Sequence, residues 1–377
     1  MKISRKYLLA EMTGPFLVGL GSFTLVVLLN RFSRMADLVI ARGVPARLVG
    51  RLLLSLFPPF LEITLPAALL LAVLLALGRL SADSETTALG GAGVGMRGIA
   101  VPVLIACGIT FAATLLVAWR GIPWGHRETQ RTLARIVSER AGAGASEHTF
   151  REITPDVLVF PDRVSADGQR MAGVFLSFRA GGDEPLLVFS KEGRFLPAGD
   201  QGAVGFDLSG GTVHGDQPGN RLYRLASFGR MEFRVPLGPP TVLGGDDPKG
   251  MTLPELSRRI DAAAGAPGGA SHRYHFHRRL SLAVSCLSFG LLAIPLGMAQ
   301  RARGKSSSFG VTIVLVLAYY VFLAAGGALE NRSQPGMIAL LWTPNVLGLS
   351  LAVWILGRSE TRPLELPAPL RAILGRK

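Results

Sequence analysis

Cysteine is almost missing from this sequence: two occur, Cys107 and Cys286, and both fall in apolar stretches. That excludes a disulfide framework and leaves two small packing residues. Acidic residues are also scarce, 26 Asp and Glu against 40 Lys and Arg in 377 residues. Scarcer still is charge of either sign within six long stretches, Met12–Asn30, Leu52–Gly78, Ile99–Trp119, Leu280–Gln300, Ser306–Leu329 and Ser333–Gly357. Apolar runs of this length exclude an ordinary soluble chain. About 20 helical residues, rising ~1.5 Å each, cross a hydrocarbon core of about 30 Å. Six transmembrane helices are expected. The first is not a signal peptide, although Lys2, Arg5 and Lys6 precede it, because it is too long and ends at Asn30-Arg31 without a small-residue cleavage site.

Recognisable catalytic and nucleotide-binding signatures are missing as well. Gly93, Gly95 and Gly98 spell G-x-G-x-x-G, but they sit between two apolar runs, whereas the dinucleotide fingerprint follows a strand. Gly304-Lys305-Ser306 resembles the end of a P-loop, yet its first glycine position is Ala299, inside a span. No cofactor is therefore expected in this chain, and an active transporter of this kind would need its ATP and Mg²⁺ bound by another subunit. His272, His275 and His277 crowd the start of the fourth span, but their spacing fits no standard metal-ligand pattern, so no metal is expected. His148 and His214 have no partner legible in sequence. The chain reads as a non-enzyme.

What is present divides the chain into transmembrane half 1 (1–120), an insert (121–277) and transmembrane half 2 with a tail (278–377). Residues 141–271 carry 13 basic against 16 acidic residues, and the rest carries 27 against 10. The positive charge thus belongs to the membrane part and implies no nucleic-acid partner. Basic residues normally mark the cytoplasmic side, yet here each side of the membrane receives thirteen. A bound polyanion gives a physical reason for the arginines on the second face; snorkelling to anionic headgroups is the bland alternative. Within the insert, Gly121–Arg140 has helical spacing and reads as a stalk continuing span 3. From Phe150 onward short alternating runs follow, at Val157–Phe160, Gly173–Phe178, Leu186–Phe189, Val204–Leu208 and Leu222–Phe233. They predict an all-β sandwich or jelly-roll-like domain. Thr252–Ala264 predicts a short helix, and Gly265–Ser271 a linker.

The most informative segment joins spans 2 and 3: Leu77-Gly78-Arg79-Leu80-Ser81-Ala82-Asp83-Ser84-Glu85-Thr86-Thr87-Ala88-Leu89. Ser81 or Asp83 can cap a short helix there, and acidic residues in its first turn suit the helix dipole. The alternative is a solvated turn. With the basic N-terminus, Pro123-Trp124 after span 3, the β insert and Ile294-Pro295-Leu296 in span 4, this loop resembles the lipopolysaccharide export permeases, the paired F and G subunits of the Lpt transporter. The likeness covers essentially the whole chain, and the Arg-Leu-Ser-Ala-Asp-Ser-Glu run is more similar to the F subunit. Gly90-Gly91-Ala92-Gly93 departs from the family pattern in its flexibility.

The resemblance implies an inner-membrane protein with both termini cytoplasmic and the β domain periplasmic. It implies a G-type permease as its pair, a cytoplasmic ATPase dimer of the B type, and jelly-roll partners of the C and A types that receive lipopolysaccharide. Within loop 79–98, Ser81, Asp83, Glu85 and Leu89 would form the coupling helix, with Glu85 carrying the ATPase contact. Spans 1 and 5 would line lateral gates. On physical grounds Arg31 and Arg34, one turn apart at the outer end of span 1, suit lipid phosphates. Glu62, the ionisable residue well inside a span, is a candidate for the lipid cavity or for a structural ion pair; Asn345 and Glu330 are weaker candidates. Two rival functions remain at this point. A mechanotransmission permease usually has four spans with its insert after the first, and a secondary transporter calls for internal repeats and more midplane charge.

Overall fold

A computed structural model of the protein describes residues 2–40, 46–91, 96–143, 148–154, 157–165, 170–178, 186–196, 203–217, 220–236, 247–262, 269–299 and 304–359. Among the described residues, six helices are long and apolar enough to cross a membrane. They run as α1 (Lys2–Ile40), α2 (Ala46–Ala82), a short α3 (Glu85–Gly91), α4 (Met96–Leu116), one π turn (Val117–Gly121) and α5 (Ile122–Ala143). After the strands come α6 (Leu253–Ala262), α7 (Gly269–Met298), α8 (Gly304–Ala328) and α9 (Gln334–Ser359). The spans are those expected, but the helices reach past them. Hydropathy marks only the apolar middle, whereas helical hydrogen bonding continues into charged ends.

Two compact units emerge. One comprises Met1–Asp37, Leu56–Gly125 and Pro248–Lys377; the other comprises Leu38–Ser55 and His126–Asp247. In the helical unit, most of the apolar window of α2 and α7 is buried, 83 % and 78 %, against 17–33 % for the other spans. Helix α7 packs on α2 and α4 through small residues, as suits helices where lipid offers no hydrophobic drive to association. A Cβ on Gly290 would lie 2.0 Å from Cys107 Sγ, and one on Gly297 2.9 Å from Leu77 Cβ. The Cys286 thiol meets the Thr114 hydroxyl at 3.4 Å. The two cysteines are therefore close-packing residues of a helix seam. Where α4 runs into α5, the π turn brings Gly121 against Pro58, one of three prolines within α2.

The other unit is built on a six-stranded antiparallel sheet: β1 (Arg151–Thr154), β2 (Val157–Val164), β3 (Arg170–Phe178), β4 (Leu186–Leu196), β5 (Ala203–Gln217) and β6 (Asn220–Pro236), paired in chain order. Five strands match the expected runs, and β1 had no legible signal. The order is a meander, without Greek-key crossovers, yet the sheet rolls. By register Phe178 is level with Arg224 on β6, nine residues from Phe233. In a flat sheet the two phenylalanines would stand about 14 Å apart across the strands and about 30 Å along them. Their rings are 4.0 Å apart. Rolling encloses a core of Val157, Val159, Val174, Leu176, Val188, Phe206 and Leu208.

A crease explains the roll. Asp162, Gly173, Lys191, Gly210 and Gly229 occupy one row across β2–β6, and the ladder pairs flank this row without including it. On β3 the phase of burial changes across it, from Met171 to Val174. Gly173 and Gly210 have φ of +61° and +64°, a region that costs an L-residue about 1–2 kcal/mol. Around the crease lies an open groove of about 810 Å³, lined by Phe160, Phe175, Phe189 and Phe228 among others. In the same unit the first turns of α2 are held to α5, where Arg51 pairs with Glu128 and the Ser55 and Thr129 hydroxyls lie 2.8 Å apart. His126 meets Asp247 at 2.8 Å.

Candidate functional site

The loop after span 2 forms the expected short helix, α3, with Glu85 in its first turn. Its construction differs from the cap read in the sequence. Helix α2 continues through Ala82, and the chain turns at Ser84, whose φ is +59°. Ser84 supplies the carbonyl that accepts the Ala88 N–H at 3.0 Å. Ser81 is buried in α2, and its hydroxyl donates across the seam to the Met298 carbonyl of α7 at 2.8 Å. It therefore fastens the end of α2 rather than beginning α3. Asp83 is exposed and lies 3.7 Å from Arg79 Nε. The side chain of Leu89 lies outside the described residues.

Glu85 is half-buried and has a partner that sequence reasoning missed: the Tyr7 hydroxyl donates to its Oε2 at 3.2 Å. Arg79 donates from Nη2 to the same hydroxyl at 3.2 Å and from Nη1 to Glu11 Oε1 at 2.5 Å. Tyr7 and Glu11 stand one helical turn apart on α1, a spacing that puts both on one face. That spacing was readable in the sequence; its partner about 70 residues away was not.

Deeper in the bundle, Glu62 is 1 % exposed and lies 3.4 Å from Arg278 Nη1 on α7. Its second oxygen, Oε1, has no hydrogen-bond partner among the described residues. Of the two roles expected for Glu62, the ion pair thus has its counterpart in place. The adjacent Arg279, also 1 % exposed, donates to the carbonyls of Met251 at 2.6 Å, Lys249 at 2.8 Å and Pro248 at 3.3 Å. These carbonyls belong to the turn that carries the chain back toward α6 and α7. Asn345 is committed to the interior, where its amide donates to Ser281 and to the Tyr319 hydroxyl. His277 accepts from the Trp342 indole at 3.3 Å. Among the described residues no group of three metal-ligating side chains occurs. Arg31 and Arg34 lie within α1, and their side chains are outside the described residues.

The family described as lipopolysaccharide export system permease LptF/LptG matches residues 6–358. The chain belongs to this family. Among curated proteins it is similar to the lipopolysaccharide export system permease protein LptF of Escherichia coli K12, 24 % identical over 99 % of this chain and 98 % of the relative. The LptF protein of Shigella flexneri matches equally. An uncharacterized protein of Rickettsia prowazekii is 23 % identical over 51 % of this chain and 53 % of its own. Membership accounts for six spans interrupted by a β insert, and it sets aside the mechanotransmission and secondary-transporter readings. The chain is a multi-pass membrane permease of a lipopolysaccharide export family.

Proposed function

We propose that this chain is the F-type permease subunit of an ATP-driven lipopolysaccharide exporter in the inner membrane. It pairs with a G-type permease and takes its energy from a cytoplasmic ATPase dimer that binds ATP and Mg²⁺. The β domain then faces the periplasm and hands lipid to jelly-roll partners. The observation that carries the energy step is α3, a separate short helix with Glu85 in its first turn and not fully buried. Such a helix suits a groove on a partner, and Glu85 supplies its charge; Ser81 sets its distance from the seam.

The physics of the cargo supports the same reading. Drawing acyl chains out of a bilayer costs about 0.8 kcal/mol per CH₂ that meets water, so the route stays apolar throughout. Helix α1 exposes Leu17, Val18, Leu25, Val26 and Leu29, and α8 exposes Ile313, Val314, Leu317 and Val321. These faces suit half of an apolar cavity whose other half is the paired permease. Arg31 and Arg34 then hold lipid phosphates at the outer end of span 1, and the phenylalanine-lined groove offers acyl chains an apolar surface beyond the membrane.

The test is charge reversal at Glu85 in the co-expressed complex. Glu85→Arg is expected to abolish co-purification of the ATPase or its coupling to export, while the chain remains inserted. Undiminished ATPase recovery together with undiminished export would remove the coupling assignment.

A further inference from the structure

The inner end of α2 is anchored. Leu77 and Leu80 are fully buried, Gly297 of α7 sits against Leu77, and Ser81 is bonded to the Met298 carbonyl. Two neighbouring elements are held less firmly: α1, whose apolar window is 17 % buried, and the seven-residue α3. Arg79 projects from the anchored end and reaches both, α1 through Glu11 and Tyr7 and the α3 turn through Asp83. Tyr7 completes the circuit, because its hydroxyl accepts from Arg79 and donates to Glu85.

We infer that Arg79 and Tyr7 are positioning residues that pass displacement of α3 on to α1. This rests on the reading of α3 as the coupling helix and goes beyond it, since it says where the displacement goes. A tyrosine has one hydroxyl proton, and here it goes to Glu85. A pull on Glu85 therefore acts on α1 through Tyr7, while Arg79 supplies the fixed point. Exposed charged contacts of this kind are individually weak, and Arg79 keeps about half of its side chain exposed. Contacts that weak are remade in every cycle without unfolding anything. Ser84 at φ +59° places a sharp turn between the anchored helix and α3, which is where the inferred displacement of α3 would pivot.

The experiment uses membrane vesicles carrying the complete co-expressed complex and measures lipopolysaccharide released per ATP hydrolysed. Tyr7→Phe removes one hydroxyl and keeps the ring. The ATPase should still co-purify, and released lipid per ATP should fall about two- to tenfold, the equivalent of one net hydrogen bond. Arg79→Glu should fall further, and adding Glu11→Arg should recover part of that loss. An unchanged ratio in both Tyr7→Phe and Arg79→Glu overturns the inference. Loss of the ATPase itself in Tyr7→Phe also overturns it, because the residue would then act at docking. If the unaltered chain fails to recover the ATPase, the coupling assignment of α3 falls first and this linkage falls with it.

Discussion

The two units of this chain treat charge and glycine in opposite ways. The helical unit carries charge inside: Glu62 and Arg278 meet within the bundle, and Arg279 is almost completely enclosed. The sheet of the other unit keeps its ion pairs at the surface, where Arg230 grips Asp207 through two bonds of 2.9 and 2.7 Å and Arg234 meets Glu232 at 2.8 Å. In the helical unit Gly290 leaves room for a neighbouring helix; in the β unit Gly173 and Gly210 let the backbone turn. The difference follows from the solvent. Lipid cannot screen a charge or satisfy a polar group, so a span hides it against a partner. Water screens freely, and the sheet needs only an apolar interior.

The sharpest way to break the comparison is to remove one member of the buried pair. Glu62→Leu alone should destabilise the chain by about 3–5 kcal/mol, because Arg278 is left without its counter-charge. The double change with Arg278→Leu should return most of that stability, read as a thermal midpoint in detergent. If Glu62 serves the ion pair, the double variant also exports lipid; a double variant that is stable but inactive would restore its lipid-handling role.

The glycines come next. Gly290→Ala places a Cβ onto Cys107 Sγ and should cost about 1–3 kcal/mol through overpacking, an effect that the added change Cys107→Gly relieves. Gly210→Ala should cost about 1–2 kcal/mol through its backbone conformation alone, and no change at Lys191, whose side chain is its nearest neighbour, should relieve it. Rescue at one glycine and none at the other distinguishes packing from conformation.

The smallest effect belongs to the surface pair. The Arg230 hydrogen bonds, assisted by its charge, hold the Asp207 carboxyl below the usual carboxylate range. A group with a lowered folded pKa stabilises fully above its unfolded value, about 4, and loses that contribution as pH falls through the folded value. Amide exchange in β5 and β6 should therefore change slightly below about pH 4, and Arg230→Leu should remove that change while leaving neutral pH nearly unaffected. A large effect at neutral pH would mean that the surface pair behaves like the buried one.

Legibility in the sequence followed the range of the interactions. Spans were readable because an apolar run is a local property, and β2–β6 because alternation is local too. Four-residue β1 was too short to show a period. The crease was not legible, since five residues on five strands align only once the register is set. The same limit governed the site. A short helix could be read from the loop, though not its start at Glu85; the Ser81 bond to Met298 spans 217 residues, and Glu62 lies 216 residues from Arg278. Neither pairing leaves a local pattern. Arg79 was in view as part of the loop, yet its importance depends on Tyr7 and Glu11, which sequence shows only as residues of a basic, apolar N-terminus.

The central claim is that energy enters at α3 and lipid moves along the membrane helices. The most direct measurement is lipopolysaccharide release from vesicles bearing the full complex, with and without ATP, for the unaltered chain and for Glu85→Arg. The account requires ATP-dependent release from the unaltered chain and release at the ATP-free level from the variant. Equal ATP-dependent release from both would contradict it.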